Sequence, residues 1–136
     1  MDNGWQESAD AWVADMGKSG DFGRRYVLDP VMLPRAIAGS PRSALDVGCG
    51  EGRFCRMLRS RGVHTVGVDP TPALLAVARS RDARGTYVEA AAERLPFREE
   101  AFDLGVAEAT HKQDHFVRPH RRRVLVAVVA AAIPAL

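Results

Sequence analysis

Ala44-Leu45-Asp46-Val47-Gly48-Cys49-Gly50-Glu51-Gly52-Arg53-Phe54 is the stretch that decides the fold. An apolar strand ends in an acid and a valine, then three glycines alternate with other residues before a helix begins. Glycine lets the backbone turn tightly and approach a ligand with no side chain in the way. The helix starts at the loop, so its first N–H groups, which lack partners within the helix, point at whatever sits there. A strand, glycine loop and helix in this order form a cradle for a nucleotide-type cofactor.

The spacing narrows which cofactor. Dinucleotide folds use G-x-G-x-x-G, with the third small residue packing helix onto strand. This chain reads G-x-G-x-G, and Arg53 fills the dinucleotide pattern's third position. A bulky arginine there argues against a bound pyrophosphate. The next strand, Val63 to Val68, ends at Asp69, about 20 residues beyond the first glycine, where an acid can accept hydrogen bonds from a ribose. Pro70-Thr71-Pro72 then introduces a helix, with Thr71 at the N-cap and Pro72 at the first helical position. Leu74, Leu75 and Ala78 give that helix an apolar stripe, and Arg79, Arg81 and Arg84 suit its C-terminal end. Thr86–Ala90 and Ala101–Ala107 read as third and fourth strands, separated by Ala91-Ala92-Glu93-Arg94-Leu95-Pro96-Phe97.

From Ser43 to Ala107, these segments resemble class I S-adenosylmethionine-dependent methyltransferases in order and spacing. The glycine loop is similar to that family's first motif, acid-x-G-x-G-x-G. The run after the third strand resembles its Asp-Ala-Glu-x-Leu-Pro-Phe, and Phe102-Asp103-Leu104 its Phe-Asp-Leu. The likeness is to the small-molecule branch that includes quinone-biosynthesis methyltransferases. It implies an α/β, Rossmann-like doubly wound parallel sheet, incomplete on the C-terminal side, with strands in the order 3-2-1-4. It also implies S-adenosyl-L-methionine as cofactor and methyl transfer to a small-molecule acceptor.

Carried over residue by residue, Asp46 lies near the methionine amino group, and Gly48, Gly50 and Gly52 shape the loop under methionine and ribose. Asp69 binds the ribose hydroxyls, and Ala92 offers backbone near the adenine. Cys49, Pro70 and Glu93 flank these positions and complete the expected cofactor-binding set. Where the family often has an acid to bond the adenine amino group, this chain has Ala91. No catalytic base follows from the motifs, although Glu108 and His111 come after the fourth strand, where family members contact substrate.

The rest of the chain bounds the answer. Its 136 residues fit one domain, divided into N-terminal lid-type helices over 1–40, a cofactor half over 41–107 and an atypical tail over 108–136. A net charge of +2 demands no anionic partner, and no nucleic acid is expected. The cysteines, Cys49 and Cys55, form no disulfide framework, so a reducing cytoplasm is the expected compartment. Cys49 reads as a small loop residue, and Cys55 as core on the helix face of Phe54 and Leu58. No secretory signal pattern or membrane span is expected. Gly17-Lys18-Ser19 lacks the upstream glycine of a phosphate loop, because Trp12 stands there. Trp5, Trp12, Val13 and Met16 mark a first helix, and a second is expected around Pro30–Ala38; these two either cover a sheet face or form a lid.

The tail departs from the family. Residues 108–123 show no apolar period. His111 and His115, with Asp114 between them, sit at metal-ligand spacing in a solvated run, so no metal is expected. Arg118–Arg123 lacks the interleaved aromatics of a base-stacking surface. Arg123-Val124-Leu125 echoes the family's Arg-Val-Leu, but Val126-Ala127 replaces the Pro-Gly that should follow. The abrupt change predicts a truncated or frame-altered end. On that reading residues 108–136 form neither the family's fourth helix nor its fifth strand, the chain has little methyltransferase activity, and an apolar sheet edge is exposed unless Val124–Val129 fills the place. Two other classes stay open: a non-catalytic cofactor-binding fragment and a nicotinamide-dependent oxidoreductase.

Overall fold

The computed structural model describes residues 4–20, 22, 24–98, 101–108 and 121–127. The first two helices are α1 (Trp5–Met16) and α2 (Asp29–Ile37), joined through a π-helical turn over Arg24–Leu28. Strand and helix then alternate: β1 (Ser43–Val47), α3 (Arg53–Arg59), β2 (His64–Asp69), α4 (Pro72–Arg81) and β3 (Thr86–Glu89). Strands β4 (Phe102–Glu108) and β5 (Arg121–Ala127) follow. The sheet order is β3-β2-β1-β4-β5, and every pairing is parallel. Parallel neighbours need a crossover, and α3 and α4 supply it between β1 and β2 and between β2 and β3.

The period of two along the strands separates two apolar layers. Ala44, Leu104 and Val106 meet Met32 and Ala36 of α2 and Phe54 and Leu58 of α3. On the opposite face Leu45, Val47, Val66 and Val68 are covered by Ala90, Ala92, Leu95 and Phe97 from the segment after β3. Near-continuous burial from Ala44 to Val47 explains why β1 reads as an apolar run rather than an alternating one. Cys55 is buried as expected, but with Leu75, Ala78 and Tyr87, while Phe54 and Leu58 turn to the α2 layer.

Two sequence expectations need correction here. The tail does contribute a fifth strand: β5 pairs with β4 in the register Leu104↔Arg123, Val106↔Leu125 and Ala107↔Val126. The echo Arg123-Val124-Leu125 lies inside it. Val124, Leu125 and Val126 are branched, apolar residue types that parallel strands favour in sequence without alternation, and such a strand needs no Pro-Gly turn within it. Pairing also covers the edge that β4 would otherwise present. The family's fourth helix, and His111, Asp114 and His115, fall outside the described residues. The second correction is small: α4 ends at Arg81, so Arg84 lies beyond it.

Glycines decide how closely α3 and β3 approach. Gly52 has φ +83°, and a Cβ there would stand 2.7 Å from the Tyr87 hydroxyl oxygen. Gly50 has φ +56°, but a Cβ would meet only the Trp12 ring, at 3.6 Å. Both substitutions strain the backbone; only one also collides with the core. Gly52→Ala should therefore lower unfolding free energy by about 2 kcal/mol and Gly50→Ala by about 1 kcal/mol. Urea unfolding of the two variants checks the order, and equal losses would contradict the packing.

Candidate functional site

The loops after β1, β2 and β3 converge at the carboxyl end of the sheet. Gly48, Gly50 and Gly52 all adopt positive φ, at 76°, 56° and 83°. The amides of Gly48 and Cys49 both donate to the Val68 carbonyl, at 2.8 and 3.0 Å, so the loop is pinned to the end of β2. Asp69 completes that attachment. Its Oδ2 accepts from the Gly50 amide at 3.0 Å, and its Oδ1 accepts from the Thr71 amide at 2.9 Å. Thr71 holds the N-cap position of α4 but makes no side-chain capping bond; Asp69 accepts from the N-cap residue's own amide and so fixes the turn that leads into α4. The carboxylate is only 7% exposed, and each oxygen keeps acceptor capacity after these bonds.

The other expected residues are placed around this point. Pro70 is exposed between Asp69 and Thr71. Asp69 pairs in register with Glu89, and the Ala90 amide donates to the Asp69 carbonyl at 3.2 Å, which brings the segment after β3 alongside. Ala92 is half-buried against the Leu45–Val47 layer, and Glu93 is exposed. Gly52 faces Tyr87, so its missing side chain serves core packing. Asp46 is 2% exposed at the end of β1, where the Cys55 thiol donates to its Oδ2 at 3.3 Å.

Both thiols sit in surroundings that favour the protonated form. The hydrogen bond with Cys49, then burial and the Asp46 charge, hold the Cys55 thiol well above its ordinary range. For Cys49 the bond with Cys55 pulls downward, but burial and the charges of Asp46 and Asp69 outweigh it and raise the thiol. Cys49 is thus a compact loop residue, half-buried against Tyr87 and Gly67.

Sequence reading passed over Glu51. Its side chain is 1% exposed and ion-paired to Arg56 at 2.7 Å and Arg81 at 2.8 Å. Arg56 also donates to the Glu51 carbonyl at 2.6 Å and the Lys18 carbonyl at 3.1 Å, and Arg81 to the Gly17 carbonyl at 3.3 Å. One carboxylate thereby ties the glycine loop to α3, to α4 and to the turn that ends α1. Its only sequence signal is an acid inside a glycine loop with arginines downstream on both following helices.

The two N-terminal helices contact different parts of the domain. Met32 and Ala36 of α2 belong to the core. Helix α1 instead crosses the loop: Trp12 lies against Gly50, and the Gln6 side-chain oxygen accepts from the Ala73 amide at 3.1 Å, at the start of α4. Arg24 stacks over Trp12, 5.8 Å from its ring centroid. Arg53 is 6% exposed and ion-paired to Asp29 at 2.5 Å, so the residue in the dinucleotide pattern's glycine position fastens α3 to α2.

The methyltransferase-domain family matches residues 45–129, more than half the chain and well past Ala107. This chain belongs to that family. The match running through β5 also removes the ground for a family likeness that stops at Ala107. Malonyl-[acyl-carrier protein] O-methyltransferase of Serratia marcescens is 42% identical over 60 residues, 44% of this chain and 24% of that one. Demethylmenaquinone methyltransferase of Thermus thermophilus is 40% identical over 74 residues, 50% of this chain and 34% of that one. Phosphoethanolamine N-methyltransferase 2 of Haemonchus contortus, solved with S-adenosyl-L-methionine, superposes with a TM-score of 0.70 at 25% identity. That superposition covers 89% of this chain and 32% of the other. The methyltransferase domain here thus spans about a quarter to a third of these relatives. Among the described residues no helix is long and apolar enough to cross a membrane.

Two outcomes follow from the geometry. Glu51→Ala leaves Arg56 and Arg81 without their shared carboxylate, and should cost about 2–3 kcal/mol, less than a fully buried pair because both arginines keep some solvent. Chemical denaturation reads this directly; a loss under 0.5 kcal/mol would contradict the clasp. Iodoacetamide at pH 7.5 should label neither cysteine appreciably in the folded chain and both after unfolding, because the reactive thiolate is suppressed. Rapid labelling of Cys49 in the native state would overturn the raised thiols.

Proposed function

We propose that this chain binds S-adenosyl-L-methionine at the carboxyl end of its sheet and transfers the methyl group to a small-molecule acceptor. The observation that carries the reading is the Asp69 carboxylate, buried and oriented by two backbone amides while keeping acceptor capacity toward the loop side. Such a group suits a vicinal diol, because a carboxylate with fixed oxygens accepts two hydroxyl hydrogens with little reorganisation. The donor set fits in other respects. The positive-φ loop leaves the Gly50 backbone open to close approach, with only Trp12 opposite it. Asp46 supplies a second carboxylate at the end of β1, suited to an amino group.

In this reading Asp69 takes the ribose hydroxyls and Asp46 the methionine amino group. Gly48, Cys49, Gly50 and Gly52 form the loop beneath, and Pro70, Ala92 and Glu93 border the base. The cofactor supplies an activated methyl group on a sulfonium. The protein's part is to align donor and acceptor and to keep water away. Trp12 and α1 serve as the cover, held by Gln6 at one end and by Arg56 and Arg81 at the other. The relatives carry the names of malonyl-[acyl-carrier protein], demethylmenaquinone and phosphoethanolamine, and the acceptor here is assigned only as a small molecule. We place the whole as one domain in the cytoplasm, a compartment that suits two free thiols.

Asp69→Ala removes two charge-assisted hydrogen bonds worth about 1.5–3 kcal/mol each and should weaken S-adenosylhomocysteine binding at least tenfold. Calorimetric titration of wild-type and variant chains tests this. Since Asp69 also fixes the turn into α4, a circular dichroism melt accompanies it; unchanged affinity in a folded variant removes the ribose role. Release of S-adenosylhomocysteine in the presence of small-molecule acceptors tests the transfer itself.

A further inference from the structure

A second cavity lies away from the glycine loop, on the outer face of α3. It measures about 420 Å³, and its walls include Lys18, Ser19, Arg25, Asp29, Arg53 and Arg56. Arg53 and Arg56 are spaced to share one helix face, opposite the face formed by Phe54, Cys55 and Leu58 that packs into the core. Lys18, Ser19, Arg25 and Asp29 face that outer side, and the pocket between them is open to solvent. Asp69, Asp46 and the three loop glycines are not among its lining residues.

Among the described residues, four cationic side chains line this pocket against one carboxylate. Arg53 is engaged by Asp29, and Arg56 by Glu51. Lys18 and Arg25 are exposed at the rim, and among the described residues neither has a carboxylate partner. Arg25 is steadied over the Tyr26 ring, 5.3 Å from its centroid, which leaves its planar donor fork available. Asp29 uses Oδ2 for Arg53, while its Oδ1 is buried with no hydrogen-bond partner. A buried acceptor without a donor is costly, so it marks where a ligand donor would be welcome.

We propose that this cavity binds a small soluble phosphate monoester that carries a hydroxyl group. Lys18 and Arg25 meet the phosphate oxygens, and the carrier's hydroxyl donates to the Asp29 carboxylate, which a small shift of that side chain would present. A bare anion would meet only the positive rim, whereas a phosphorylated polyol uses both the rim and the unsatisfied acceptor. The site is separate from the cofactor cradle and does not depend on it.

The test is calorimetric titration of the full chain with glycerol 3-phosphate, with and without saturating S-adenosylhomocysteine. Saturable one-site binding is expected, unaffected by S-adenosylhomocysteine. It should weaken about tenfold in the double variant Lys18→Ala/Arg25→Ala, whose side chains are exposed and leave the fold intact, as a thermal melt would verify. Methyl phosphate, which has no hydroxyl on its carrier, should bind at least threefold more weakly. No saturable binding at low millimolar concentration, equal affinity in the double variant, or displacement by S-adenosylhomocysteine would overturn the site. Equal affinity for methyl phosphate would overturn the role of Asp29. Retention on phosphatidic acid vesicles with no binding of glycerol 3-phosphate would overturn the soluble ligand in favour of a lipid headgroup.

Discussion

The Asp69 carboxylate is the contact on which the site depends. It stands at the end of a strand buried on both faces, where an ionised group persists only if its oxygens are bonded. The Gly50 and Thr71 amides provide those bonds, one from each neighbouring connection. The same interaction therefore solves a desolvation problem, sets the path of the glycine loop and fixes the turn that leads into α4. A group fixed for structural reasons is preorganised for any ligand that uses its remaining lone pairs.

Around that contact the packing leaves little freedom. Tyr87 occupies the space beside Gly52 and Gly67, and its hydroxyl donates to Asp82 at 3.0 Å. Burial, then the facing Cys55 and Asp82, raises the Tyr87 phenol far above its usual range, so it stays a donor at all ordinary pH. Asp82 is ion-paired with Arg59; burial pulls its carboxyl upward, but the bonds from Arg59 and Tyr87 prevail and hold it below the usual carboxylate range. These links join α3, the end of α4 and β3. The Glu51 clasp then links this unit to the turn that ends α1.

Much of this was legible in the residues. The alternation of apolar strands and helices, the glycine spacing and the acid at Asp69 fixed the order of four strands and the end of the sheet that carries the site. What escaped was long-range. Glu51 is separated by 30 positions from Arg81 and by about that distance from the Gly17–Lys18 turn, and no local pattern connects them. Strand β5 was legible only as a secondary reading of the Val124–Val129 run, because its partner lies across a connection with no apolar period and an absent Pro-Gly turn weighed more than a branched apolar run. Arg53 looked only like a missing glycine, whereas its partner Asp29 shows what an arginine does there.

Calorimetric titration of the 136-residue chain with S-adenosylhomocysteine and, separately, with NADH tests the central assignment most directly. The account predicts saturable one-to-one binding of the first and none of the second, since Arg53 and its partner Asp29 occupy the place where a dinucleotide fold needs a glycine. Binding of NADH with indifference to S-adenosylhomocysteine would contradict it.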